Sequence, residues 1–65
     1  MENVLFLHLA SEVRVGPATF AAIVPIGRGQ HAVMVVRRED KAIMQGTSYR
    51  SLKAAREAAT IAART

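Results

Sequence analysis

The chain has 65 residues, with no cysteine, no tryptophan and only three aromatic residues, two Phe and one Tyr. Without cysteine, neither disulfides nor thiolate metal sites can stabilise the fold. A domain of this size buries only about 60% of the surface that its unfolded chain exposes, and small domains without cross-links often gain stability by association. Because 51% of the residues are nonetheless hydrophobic, the composition favours an oligomer.

Long apolar runs are also missing. No segment approaches the ~20 apolar residues of a membrane span. The largely apolar stretch Val4–Ala10 is short for a signal peptide, and Glu2 stands where a basic flank is usual. We therefore expect a cytoplasmic protein that does not bind membranes.

Groups suited to catalysis are few. The acidic residues are Glu2, Glu12, Glu39, Asp40 and Glu57. Glu39-Asp40 stands between basic residues, which is typical of a solvated turn rather than an acid–base pair. His8 and His31 have no acid at ligand spacing, and Gly27-Arg28-Gly29 is too short for a phosphate-binding loop. The sequence predicts a non-enzymatic protein with no catalytic residue, metal site or cofactor.

The hydrophobic pattern predicts a small antiparallel sheet followed by a helix. Predicted strands span residues 3–10, 18–26, 31–38 and 41–47, and segment 11–15 is left open as a continuation of the first strand beyond a kink. Turns are predicted at 16–17, 27–30 and 38–41. Pro25 indicates a sheet edge, a bulge or the end of a strand. Since the connections are short, we predict one α+β domain over residues 1–65, an antiparallel meander of three to four strands with a C-terminal helix on one face.

In the C-terminal segment, a helical period separates polar from apolar side chains, and Ser51 is the predicted N-cap. One arc of the helix is polar and holds Lys53, Arg56, Glu57, Thr60 and Arg64. The other side holds Leu52, Ala54, Ala55, Ala58, Ala59, Ile61 and Ala62. Alanines dominate this apolar side, so the helix axis can approach the sheet closely.

The predicted strands are apolar on both faces, whereas one helix can cover only one of them. The uncovered face should meet a second copy, another protein or the folded-back N-terminal strand. We assign a protein interface to Leu5, Leu7, Leu9, Val33 and Val35. A homo-oligomer or a protein partner is therefore expected.

Positive charge is concentrated after residue 26. The net charge is +4, made up of −1 over residues 1–26 and +5 over residues 27–65. Candidate contacts to a nucleic acid or an anionic partner are Arg28, Arg37, Arg38, Lys41, Arg50, Lys53 and Arg56. Because aromatic residues are not interleaved with them, we expect at most weak binding of DNA or RNA with low specificity.

A strand, a charged turn, a strand containing Gly46, Tyr49-x-Ser51 and an alanine-rich helix make up residues 31–64. This order resembles sheet-plus-helix DNA-binding modules, namely AP2-type domains and the arm-binding domains of phage-type integrases. It also resembles short bacterial sheet–helix domains of unknown function. The resemblance covers about half of the chain and implies DNA contacts only for Arg37, Arg38 and Lys41. Those families carry arginine and tryptophan on their strands, whereas residues 33–36 here are all apolar.

The sequence thus predicts a small basic interaction module that self-associates through an apolar sheet face and binds nucleic acid weakly. The alternative is a small phage- or mobile-element-type protein that binds a host protein complex and inhibits or modulates it.

Overall fold

A computed structural model of the chain describes residues 8–64. It consists of a four-stranded antiparallel sheet in the order β1-β2-β3-β4 and one C-terminal helix packed against it. The elements are β1 (Glu12–Val15), β2 (Thr19–Gly27), β3 (Gln30–Arg37), β4 (Ile43–Tyr49) and α1 (Leu52–Ala63). The predicted α+β meander is confirmed.

Within residues 8–64 the first strand begins at Glu12. Residues 3–7 lie outside the described part of the chain, and His8 and Leu9 form a short 3₁₀ turn rather than a strand. The sheet ladder begins where the Ser11 amide donates to the Ile23 carbonyl at 2.8 Å. The segment that the sequence left open, 11–15, therefore supplies β1.

The turns depend on local backbone chemistry. Arg28 and Gly29 form the two-residue turn between β2 and β3, and Gly29 has φ 70°, which glycine adopts at little cost. In the β3–β4 turn Lys41 has φ 63°, and its amide donates to the Arg37 carbonyl at 2.8 Å. The register shifts between Pro25 and Gly27, as expected for a proline at a bulge.

Helix α1 packs on the sheet through its alanines. The Ser51 hydroxyl accepts from the Ala54 amide at 3.1 Å, which confirms the predicted N-cap. Ala55 and Ala59 are fully buried against the side chains of β2 and β3. The polar arc is exposed as predicted, but so is Ile61, at 64%.

The β1–β2 turn and the C-terminal end of α1 are in close backbone contact. A Cβ built on Gly16 would lie 1.5 Å from the Ala63 carbonyl oxygen, so no side chain fits between them. In the same region the Thr19 hydroxyl donates to the Ala62 carbonyl at 3.2 Å. These contacts fix the end of the helix over the sheet.

The strand register decides which side chains lie under the helix. Ile23 pairs with Glu12 on one side and with Val33 on the other, and Val33 pairs with Thr47. Since directly paired residues share a face, all four belong to the helix face. The outer face, opposite α1, carries the neighbouring residues of each strand. Its central residues Ala22, Val24 and Val36 are buried.

Candidate interaction surfaces

The predicted interface residues are spread over different parts of the molecule. Leu5 and Leu7 lie outside the described residues, and Leu9 is exposed. Val33 and Val35 lie under α1, where Val33 is only 3% exposed and Val35 packs against the core. Val33 therefore belongs to the sheet–helix core, whereas Val35 packs against that core and stays partly exposed. With strands apolar on both faces, the pattern alone did not indicate which face the helix covers.

The outer face has a buried centre and an exposed apolar margin. Val13 and Val15 on β1 are exposed, and Val15 is exposed to 68%. On β4, the strand at the other edge of the sheet, Ile43 and Met44 are exposed as well. The expected uncovered apolar surface is thus confined to the margins of this face.

A groove separates α1 from β4 on the helix face. The helix lies chiefly over β2 and β3, so the helix side of β4 is only partly covered. The groove has a volume of about 370 Å³ and is lined by Val33, Val35, Gln45, Thr47, Tyr49, Ala58, Ile61 and Ala62. Exposed Ile61 stands on its helical wall, and Tyr49, which is half-buried, lies on its strand wall. No sequence motif indicated this groove.

The two edges of the sheet differ in length and charge. Strand β1 has four residues and includes Glu12 and Arg14. Strand β4 has seven residues and contains neither a charged residue nor a proline. Short or charged edges resist pairing with another strand, whereas a long uncharged edge does not. Within residues 8–64, β3 is the one strand paired with β4.

Several of the predicted cations take part in internal structure. Both Arg56 and Arg14 donate hydrogen bonds to the Glu12 carboxylate, with distances of 2.9 Å and 3.0 Å for the Arg56 Nε and Arg14 Nη2 bonds. The Arg56 bond is the main reason that the pKa of Glu12 lies below its ordinary value, against the opposing effect of desolvation. This ion pair joins α1 to β1.

The β3–β4 turn contains a second set of internal bonds. Arg37 donates to Asp40 at 3.0 Å, and the Asp40 carboxylate also accepts from the Ala42 amide at 3.1 Å. That amide bond, with Arg37, lowers the pKa of Asp40, although desolvation acts to raise it. Arg38 donates to the Gly16 carbonyl at 2.7 Å. Arg37 and Arg38 thus brace the turn as well as carrying charge.

The remaining predicted cations lie at the other end of the sheet. Arg28 occupies the β2–β3 turn, and Arg50 follows Tyr49, which pairs with His31 at the start of β3. Lys53 lies in the first turn of α1. Strand β3 runs from Gln30 at this end to Arg37 at the other, a distance of about 23 Å. The seven predicted cations therefore form two groups at opposite ends of the sheet, with Arg56 between them on the helix.

Polar groups arranged for chemistry are sparse in the described part of the chain. Over residues 8–64, no three His, Cys, Asp or Glu side chains are grouped so that they could hold a metal ion. His31 is half-buried, and its Nδ1 has no hydrogen-bond partner among the described residues. In the same part of the chain, no helix is long and apolar enough to cross a membrane.

Comparison with known proteins finds no matching family model, no similar curated protein and no similar solved structure. The resemblance to DNA-binding modules stays a prediction.

Proposed function

We propose that this chain is a non-enzymatic interaction module that acts by self-association through apolar side chains at the margins of its sheet and helix. The observation that carries the proposal is the exposure of seven large hydrophobic residues between residues 8 and 64. They are Leu9, Val13, Val15, Ile26, Ile43, Met44 and Ile61. Most stand on the two edge strands or beside the groove, where a second molecule can reach them.

Burial of these side chains can stabilise a dimer. Complete burial of a valine or isoleucine side chain contributes about 1.5–3 kcal/mol, so covering a half-exposed one contributes roughly half as much. Association costs at least ~4 kcal/mol in lost translational and rotational freedom. Several of the exposed residues must therefore be covered together, which requires a continuous interface.

Sedimentation equilibrium over a range of micromolar concentrations tests the proposal. We expect a species with at least twice the 7.0 kDa mass of one chain, and we expect the dimer to dissociate on dilution. A monomer at every concentration, with no binding of an apolar dye, would contradict self-association.

Weak nucleic-acid binding is the second candidate function. It is supported by Arg28, Arg50 and Lys53, which lie at one end of the sheet and make no ion pair with any residue of segment 8–64. Cations that are not engaged in the fold can contact phosphates at no structural cost. Such contacts read charge rather than base sequence, so binding should weaken steeply with salt.

Gel retardation of duplex DNA and of RNA at low salt tests this candidate. Replacing Arg28, Arg50 and Lys53 by glutamine should flatten the salt dependence more than replacing Arg37, Arg38 and Lys41, whose side chains already donate within the fold. The absence of any retardation at low salt would limit the role of the charge to solubility.

A further inference from the structure

Strand β4 has an edge that is suited to receive another strand. In an antiparallel ladder, alternate residues direct their N–H and C=O groups away from the neighbouring strand. Within the described sheet, those groups of β4 point away from β3. Its sequence, Ile-Met-Gln-Gly-Thr-Ser-Tyr, offers no charge or proline to prevent pairing. The register with β3 shifts between Val35 and Val36, which leaves Met44 without a pair, but residues 45–49 pair with β3 without interruption and form the regular part of this edge.

The groove beside this edge is apolar enough to gain from being filled. Val35 forms part of its floor, and Ile61 and Tyr49 stand on its two walls. An added strand next to β4 would bring a second layer of side chains against these residues. Edge and groove are thus adjacent parts of one surface, which extends from the backbone of β4 to the flank of α1.

We propose that two copies of the chain pair antiparallel along β4 about a two-fold axis, and that their sheets join into one of eight strands. The proposal rests on the self-association proposed above and specifies its geometry. A two-fold axis perpendicular to the sheet keeps both helices on the same face. The two grooves then meet at the axis, where each Ile61 side chain lies over the joined strands.

A second copy fits this surface for two reasons. Its own β4 supplies an equally long uncharged strand, as a symmetric interface requires. It also brings further apolar side chains to the groove, because its own Ile61 occupies the equivalent position across the axis. Strand β1 is a poor alternative, since it is short and its Glu12 already pairs with both Arg14 and Arg56.

Single lysine substitutions test the proposal by analytical ultracentrifugation. Ile61→Lys places a charge in the groove, and Gln45→Lys places one on the helix side of the edge strand. Each should raise the dimer dissociation constant at least tenfold. Thr60→Lys adds the same charge to the exposed arc of α1 and is the control that should dimerise like the wild type. Val13→Lys adds it to the margin of the outer face and tests that margin as the rival interface. Circular dichroism checks that all four variants fold.

Tyr49 provides an independent readout, since it is the sole tyrosine and there is no tryptophan. Its fluorescence should change on dilution through the dissociation constant, because it lines the groove. If Val13→Lys dissociates the dimer while Ile61→Lys and Gln45→Lys do not, self-association holds but pairing through β4 is wrong. A dimer whose Tyr49 emission is independent of concentration would also overturn β4 pairing. A monomeric wild type would refute both proposals.

Discussion

Gly16 gives the sharpest test of how the helix is fastened to the sheet. Its backbone lies against the last turn of α1, and an added Cβ would meet the Ala63 carbonyl oxygen at 1.5 Å and the carbonyl carbon at 2.6 Å. Both atoms belong to the backbone, so no side-chain rotation relieves the clash. The φ angle of Gly16 is not in the left-handed region, and the expected cost of Gly16→Ala is therefore steric.

The size of this effect follows from the displacement that alanine requires. The turn and the helix end must separate by about 1.5 Å before the Cβ reaches 3.0 Å from the oxygen, a distance that real Cβ atoms hardly ever go below. Overpacking of this kind costs about 1–3 kcal/mol. Stretching the Thr19–Ala62 hydrogen bond adds roughly 1 kcal/mol. A domain of this length has a total stability of about 3–10 kcal/mol, so a loss of about 2–4 kcal/mol removes much of it.

Urea denaturation at one fixed protein concentration measures the effect. With a slope of about 1 kcal/mol per M, Gly16→Ala should lower the midpoint by about 2 M or more. Gly27→Ala is the matched control, because its Cβ would meet only the end of the Gln30 side chain, at 3.7 Å. It should stay within ~1 kcal/mol of the wild type. Equal midpoints for the two variants would show that the helix end does not lie against the turn.

Two further predictions concern the helix and its ion pair. Ala59→Leu should destabilise the fold by about 1–3 kcal/mol, because Ala59 is fully buried against the sheet. Lys53→Leu, on the exposed arc of the helix, should leave the free energy of unfolding nearly unchanged. Equal effects of the two variants in denaturant melts would refute the assigned buried side of the helix. The folded-state pKa of Glu12 is lowered. Its pairing with Arg56 and Arg14 therefore stabilises the fold in full at pH values above the ordinary glutamate pKa, and this stabilisation is lost as the pH falls through the lowered pKa. Glu12→Gln should therefore flatten the acid side of the stability–pH profile, and an unchanged profile would mean that the pair contributes nothing.

Local chemistry made much of the fold predictable from the sequence. Ser51 before an amphipathic segment indicates an N-cap, and glycine and charged residues between apolar runs indicate turns. Pro25 signalled an irregularity, which the structure places as a bulge in β2. Each of these signals depends on residues only a few positions apart, so no tertiary contact was needed to interpret it.

The parts that the sequence missed depend on contacts between distant residues. Val33, which is buried under α1, was assigned to an interface because strands apolar on both faces carry no period-two signal of which face is covered. The pairing of Glu12 with Arg56 joins residues 44 positions apart. The position of Ile61 can be worked out from the sequence, since helical periodicity places it about 120° around the helix from Ala55. That angle places it at the margin of the apolar side, where the structure finds it exposed beside the groove.

Backbone amide hydrogen exchange at two protein concentrations tests the central claim most directly. The measurement compares amides of the same chain above and below the dimer dissociation constant. Pairing through β4 predicts that protection rises with concentration at alternate amides of Ile43–Tyr49, while the amides of β1 do not change. Protection that rises in β1, or that is independent of concentration throughout β4, would contradict the account.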